Sequence, residues 1–264
     1  MTGQQPSRGA SRPTRRAVLL SAGGVAVAGG AFAGGFAAGD ATGRGRDSVT
    51  TSATVEQALR VPTPGEDLMT EHGLLIRILL IYRCLMAARA AGEPVEAGHA
   101  HATALVVHDY IEAFHEALEE AYVFPRLQRA GRLDGTISTL LLQHARGRQQ
   151  TQLILADTAG SGALRAPAAG RVSDAMAEFV RMYEPHEARE DTVVYPAFRS
   201  LLTPAEIGDL GVHFADLQQD QFGRDGFTVM VGRVAAVEQA LGIYDLAQFT
   251  PANITPPPAV AGTS

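Results

Sequence analysis

Two segments of the chain carry matching side chains at the same offsets. His115-Glu116-Ala117 is followed by Glu119-Glu120, Val123-Phe124-Pro125 and Leu127, and His186-Glu187-Ala188 by Glu190-Asp191, Val194-Tyr195-Pro196 and Phe198. A histidine and a carboxylate four residues apart share one face of an α-helix, so both can reach one metal ion or two adjacent ones. Two further histidines, His72 and His144, each stand inside an apolar run. Imidazole nitrogen together with carboxylate oxygen suits iron, manganese or zinc, and calcium less well. A lone histidine on an apolar face is ordinarily a hydrogen-bonded core residue, and Glu119-Glu120 alone would be a solvated face. One histidine per helix, two of them with Glu at +4, points instead to a metal site inside a bundle.

The elements that must position these residues read as helices, because the apolar residues recur at helical period from Glu66 onward. The first helix spans Glu66 to Ala91, with His72, Leu75, Ile76, Leu79, Tyr82 and Met86 on one stripe, and stops at Gly92-Glu93-Pro94. The second spans about His101 to Leu127, the third about Ile137 to Thr158, and the fourth about Val172 to Leu202. Pro185 and Pro196 interrupt the fourth, and Pro185 predicts a bend just before His186. Thr203-Pro204-Ala205-Glu206 is a capping box that starts a fifth helix, and a sixth covers Gly226 to Leu241. Short connectors predict an all-α fold, an antiparallel four-helix bundle over residues 64–201, with a C-terminal helical extension and Pro-rich tail over 202–264. His108, seven residues before His115, falls on the same inward stripe, about 10 Å along the axis and beyond direct ligation. His99 and His101 read as exposed, His213 as structural, and Cys84 as a buried, inert thiol.

Composition sets the outer bounds. The 264 residues carry 28 acidic and 22 basic side chains, a formal charge of -6, which speaks against nucleic-acid binding. A single cysteine excludes an internal disulfide framework and cysteine-based zinc or iron–sulfur sites. The charge is unevenly spread. Residues 1–46 hold six arginines and one aspartate, and Ala17 to Gly39 is uncharged and rich in Ala, Gly and Val. Thr14-Arg15-Arg16 directly precedes that run, and Ala31-Phe32-Ala33 offers a small-x-small cleavage site. Arg15 and Arg16 make the segment resemble a twin-arginine signal, which implies export across the cytoplasmic membrane by that machinery, or a tether if uncleaved. Residues 47–63 read as a linker.

Taken together, His72, His115-x-x-x-Glu119, His144 and His186-x-x-x-Glu190 resemble the hemerythrin-like, or HHE cation-binding, domain over roughly residues 64–201. The Glu119-Glu120…Phe124-Pro125-x-Leu127 run is similar to that family as well. The resemblance implies two non-haem iron ions bridged by carboxylates, manganese or zinc being less favoured. It also implies a small oxidant as partner: dioxygen, peroxide or nitric oxide. Oxygen-carrying hemerythrins use two histidines four apart on the third helix and an Asp five after the fourth-helix histidine. Here Arg148 stands four after His144, while Asp191 stands five after His186 as an alternative ligand. The His115-Glu116-x-x-Glu119 order resembles the hemerythrin-like domain of the F-box iron sensor. By that analogy Glu116 replaces the absent histidine, and Glu119 and Glu190 bridge the irons; Glu187, in the matching place on the fourth helix, receives no role. The implied ligand set is His72, His115, Glu116, Glu119, His144, His186 and Glu190. A ferritin-like site would need Glu-x-x-His twice; Glu112-x-x-His115 fits once, but Tyr183 stands where the second Glu should. The expected function is oxidant binding or sensing, with a di-iron peroxidase or oxidase, or a structural helical module, as alternatives. The sequence sets neither the choice among carrying, sensing and reducing nor the oligomeric state.

Overall fold

Two Thr-Pro-x-Glu boxes start two of the helices. Thr63 Oγ1 accepts from the Glu66 backbone N–H while the Glu66 carboxylate accepts from the Thr63 N–H, and Thr203 and Glu206 repeat the arrangement. Each box satisfies backbone donors that a helix start leaves open, and Pro64 and Pro204 follow as first helical residues. The structure, a computed structural model, describes residues 62–251. The export signal with Arg15 and Arg16, most of the linker and the Pro-rich tail lie outside the described residues.

Helix α1 is Pro64–Ala90; α2 runs over 97–129, α3 is Asp134–Asp157 and α4 runs over 168–199. Together they form the bundle, α3 packing along α4 and α1 along α4. The core is a continuous layer of Leu68, Leu75, Ile78, Tyr82, Ile111, Phe124, Ile137, Ile154, Phe179 and Phe198, all buried. None of the described helices is long and apolar enough to cross a membrane. Helices α5 (Pro204–Phe222) and α6 (Gly226–Ala240) lie over α1 and the first half of α2, and a short 3-10 turn, Leu246–Phe249, follows. Phe222 packs on Tyr110 and Phe114, Phe214 on Tyr122, and the Arg77 guanidinium pairs with Glu238 through two contacts of 2.9 and 2.5 Å. Burying one phenylalanine such as Phe214 contributes about 2 kcal/mol, so the extension adds to the core of the bundle.

Helices α2 and α4 depart from regular α geometry at equivalent places. In α2 a π-helical turn covers Glu119–Val123, with the Phe124 N–H donating to the Glu119 carbonyl five residues back. In α4 the matching turn is Glu190–Val194, with the Tyr195 N–H donating to the Glu190 carbonyl. The cause stands one residue on: Pro125 and Pro196 offer no N–H, and their rings exclude the carbonyl four residues earlier, so the turn widens. Pro185 lies inside the α-helical part Ala168–Arg189, and the π-turn begins one turn after His186, at Glu190. A longer π segment, Val107–His115, precedes the α2 site. His108 lies inside this wider-turned segment, where seven residues no longer return to the same face, so it is exposed and bonded to Asp109 rather than facing inward as expected.

Candidate metal centre

Each of the four bundle helices delivers one buried imidazole: His72 from α1, His115 from α2, His144 from α3 and His186 from α4. The repeated carboxylates Glu119 and Glu190 lie among them, fully buried, at the first residue of the two π-turns. Glu119, His144, His186 and Glu190 bring one ligand atom each within 4.8 Å of one another, and His72, His115 and Glu119 do the same. Glu119 belongs to both groups, so they join into one buried candidate cation-binding cluster.

The orientation of each ring is fixed from behind. His72 Nδ1 lies 2.8 Å from Asp191, His115 Nδ1 2.8 Å from Glu71, His144 Nδ1 3.0 Å from Glu120, and His186 Nδ1 2.9 Å from the Gln143 side-chain oxygen. An acceptor at Nδ1 assigns the ring proton there and leaves Nε2 as a lone pair aimed inward, the arrangement usual for metal-bound histidine. His144 Nε2 and His186 Nε2 then face each other at 3.2 Å. Glu190 Oε2 stands 3.1 Å from His186 Nε2 and 3.4 Å from His72 Nε2, and Glu119 Oε2 3.4 Å from His144 Nε2. Lone pairs opposed at these distances repel unless a cation or a proton lies among them. Glu119 Oε2 and both oxygens of Glu190 are buried without a hydrogen-bond partner, an arrangement that natural interiors rarely leave uncompensated. The donor set therefore fits a bound transition-metal cation of borderline character.

Electrostatics agree. Burial opposes the charge on His72, but its hydrogen bond with Asp191 and the nearby Glu190 carboxylate raise its pKa to about 9, so the local field favours positive charge. His115 is held well below the ordinary histidine range by burial and by neighbouring His72, which keeps its lone pair available. Burial and the charge of Glu190 push the Glu119 carboxyl up. Burial works the same way on Glu190, yet His186 and His72 hold that carboxyl below the usual range. Two carboxylates this close share one excess of negative charge, which a cation would neutralise.

The remaining expected residues sit around this core. Glu116 is buried beside it, but its carboxylate is engaged elsewhere: Oε1 accepts from Tyr183 Oη at 2.6 Å and Oε2 lies 2.8 Å from the Arg148 guanidinium. Its nearest approach to His144 is 4.0 Å, to Nδ1 rather than to the inward Nε2. Asp191 is half-buried and reaches His72 from the Nδ1 side. Glu187, the repeat partner of Glu116, is buried with Oε1 unpartnered, and burial raises its pKa to about 8. Away from the site, His213 bonds to Tyr122 and His101 to Thr158, His99 and His101 are half-buried rather than exposed, and Cys84 is half-buried rather than buried.

Sequence reasoning missed the supporting residues. Glu71, Glu120 and Gln143 had no assigned role, although each adjoins a motif residue. Tyr195 Oη donates to Glu119 at 2.8 Å and lies 3.2 Å from His72 Nε2. Gly147 in mid-α3 is the visible signal for Tyr183: a Cβ there would meet Tyr183 Oη at 2.1 Å.

A helical bundle whose interior gathers four imidazoles and two carboxylates is a cation-binding protein by construction. The sequence pattern of the hemerythrin HHE cation binding domain matches residues 63–198. Uncharacterized proteins of Mycobacterium tuberculosis and Mycobacterium bovis are each 45% identical over 209 residues, covering 79% of this chain and 80% of theirs. The chain belongs to the hemerythrin HHE cation-binding family. No solved structure matches it.

Proposed function

We propose that the protein is an exported non-haem di-iron protein that binds or senses dioxygen or a related small oxidant such as peroxide or nitric oxide. The observation that carries this reading is the convergence of four Nδ1-backed histidines on two buried carboxylates with unpartnered oxygens. His72, His115 and Glu119 would hold one ion, His144, His186 and Glu190 the other, with Glu119 and Glu190 placed to serve both. Iron held there would supply reversible one-electron chemistry and Lewis acidity toward a small oxidant. The protein's own part is to fix ring orientation through Glu71, Glu120, Gln143 and Asp191, to exclude bulk water by burial, and to hold a proton close by on Tyr195 Oη, between Glu119 and His72.

The test is anaerobic iron reconstitution, metal analysis, and spectra with oxygen, peroxide and nitric oxide. Two irons per chain and a reversible optical change support the proposal; no stoichiometric transition metal after iron-replete expression sinks it. A peroxidase or oxidase is the second reading, favoured because Arg148 rather than histidine follows His144 by four, which leaves fewer protein donors. Catalytic turnover of peroxide would select it. Export rests on the Arg15-Arg16 segment; the double Lys substitution should retain the protein inside the cell, and unaffected export would refute that part.

A further inference from the structure

The candidate ligands His72, His115, Glu119, His144, His186 and Glu190 are at most 3% exposed, so a cation must reach them through some less buried layer. On the α2–α3 face the wall is partly open, because the Glu120 and Arg148 side chains are about one-third exposed, 32% and 34%. There one Arg148 nitrogen sits between two carboxylates, 2.8 Å from Glu116 Oε2 and 2.7 Å from Glu120 Oε1. A positive charge thus already occupies the point between two carboxylates one turn apart.

A second observation marks the same place. Glu112, Glu116 and Glu120 follow one another at four-residue spacing on α2, and all three act on the Arg148 guanidinium. Glu112 is more than nine-tenths buried, leaves Oε1 without a hydrogen-bond partner, and lies within electrostatic reach of Glu116 and Arg148. Burial raises the pKa of Glu112 while Thr151, His108 and Arg148 act against that rise, so Glu112 shares the Arg148 charge with Glu116 and Glu120. Glu116, Glu120 and His144 bring ligand atoms within 4.8 Å of one another. His144 joins this outer group to the inner one: Nδ1 bonds to Glu120 at 3.0 Å, and Nε2 lies 3.4 Å from Glu119.

We propose that Glu116 and Glu120 form an outer docking site for a divalent metal ion, closed by the Arg148 guanidinium, from which metal passes alongside His144 into the buried cluster. The proposal rests on the cation-binding reading of that cluster but not on the identity of its metal. Glu112 supplies further negative charge next to the outer site. Arg148 acts as a plug: its long side chain can swing to solvent when a doubly charged ion competes for the two carboxylates.

The experiment follows Co(II) uptake by the intact metal-free protein, using visible absorption for rate and equilibrium dialysis for stoichiometry. Glu120→Gln keeps the acceptor for His144 but removes the charge; it should load at least tenfold more slowly. Arg148→Ala should load faster and hold one more, weakly bound Co(II) per chain than wild type, while Arg148→Lys, which retains a cation, should not. If Arg148→Ala does not fold by circular dichroism, Arg148→Gln reads the same difference. Thr139→Trp, which fills the cavity of about 290 Å³ between α3 and α4 beside His186, should leave loading unchanged. Wild-type loading by Glu120→Gln, no additional Co(II) on the Arg148 variant, or slow loading by Thr139→Trp would each overturn the proposal. Failure of the inner cluster shows separately, as absence of tightly held Co(II) in every variant, and the extra weak ion is still read as variant minus wild type.

Discussion

Gly147 offers the sharpest test of how the site is supported. It lies in the middle of α3, where alanine would ordinarily be favoured over glycine by about 1 kcal/mol. Here an added methyl would stand 2.1 Å from Tyr183 Oη and 2.8 Å from two of its ring carbons. Tyr183 has little room to retreat, because it is buried, stacks on Phe179 at 4.2 Å, and donates to the Glu116 carboxylate at 2.6 Å. Overpacking costs about 1–3 kcal/mol, and losing a hydrogen bond to a charged acceptor about 1.5–3 kcal/mol more. After subtracting the helix gain, Gly147→Ala should destabilise the protein by about 1.5–5 kcal/mol. For a domain of this size that lowers Tm by roughly 3–20 °C. The assay is thermal unfolding by circular dichroism with chelator present throughout, so that both proteins are compared without metal. A double-mutant cycle with Tyr183→Phe isolates the clash: removing Oη relieves the closest contact, so the double variant should lose less than the sum of the singles. A Gly147→Ala variant as stable as wild type, or strictly additive losses, would refute the packing argument.

Three further outcomes follow from other contacts. Glu71→Leu strands the His115 Nδ1–H and deprives Tyr110 Oη of one of its two partners, and should weaken metal binding about 10–100-fold, measured by competition with a chromophoric chelator. Arg77→Ala leaves buried Glu238 without its guanidinium and loosens α6 from α1; because Arg77 is itself partly exposed, the expected loss is about 2–3 kcal/mol by urea unfolding, and a loss under about 0.5 kcal/mol would contradict it. Burial and the charge of Glu71 raise the Asp67 pKa from 3.8 to about 6. Between those values the folded chain holds a proton that the unfolded chain releases, so this group favours folding below about pH 4, and that advantage is lost as pH rises through about 6. Asp67→Asn should therefore raise stability at pH 7 by about 1–2 kcal/mol, net of a lost helix-dipole contact, and flatten the pH dependence from 4 to 6; an unchanged slope would count against it.

The parts of this molecule that could be read from sequence are those set by local periodicity. His-x-x-x-Glu works as a signal because four residues make about one helical turn, and the neighbouring apolar stripe says which way the pair faces. Six helices follow from the same logic, with capping boxes and glycines marking the ends. The supporting acceptors were not readable, because they depend on how one helix is rotated against another: Gln143 adjoins His144 in the chain yet serves His186 on α4. The π-turns had a visible cause in Pro125 and Pro196, but a proline alone does not say whether a helix stops, bends or widens. His108 was misplaced for that reason, being counted in regular turns through a segment that is not regular. The extension looked like an addition in sequence because its apolar residues could be assigned a helix but not a partner.

The acceptors behind the four rings differ in charge, and this makes two chemically unlike halves of a site whose sequence motifs are twins. His72, His115 and His144 are each backed by a carboxylate, whereas His186 is backed by the neutral amide of Gln143. A carboxylate pulls on the Nδ1 proton and makes the ring a stronger electron donor, part way to imidazolate. A cation held by His72 and His115 would thus meet stronger donors than one held beside His186. Duplicated motifs here yield two halves of unequal donor strength.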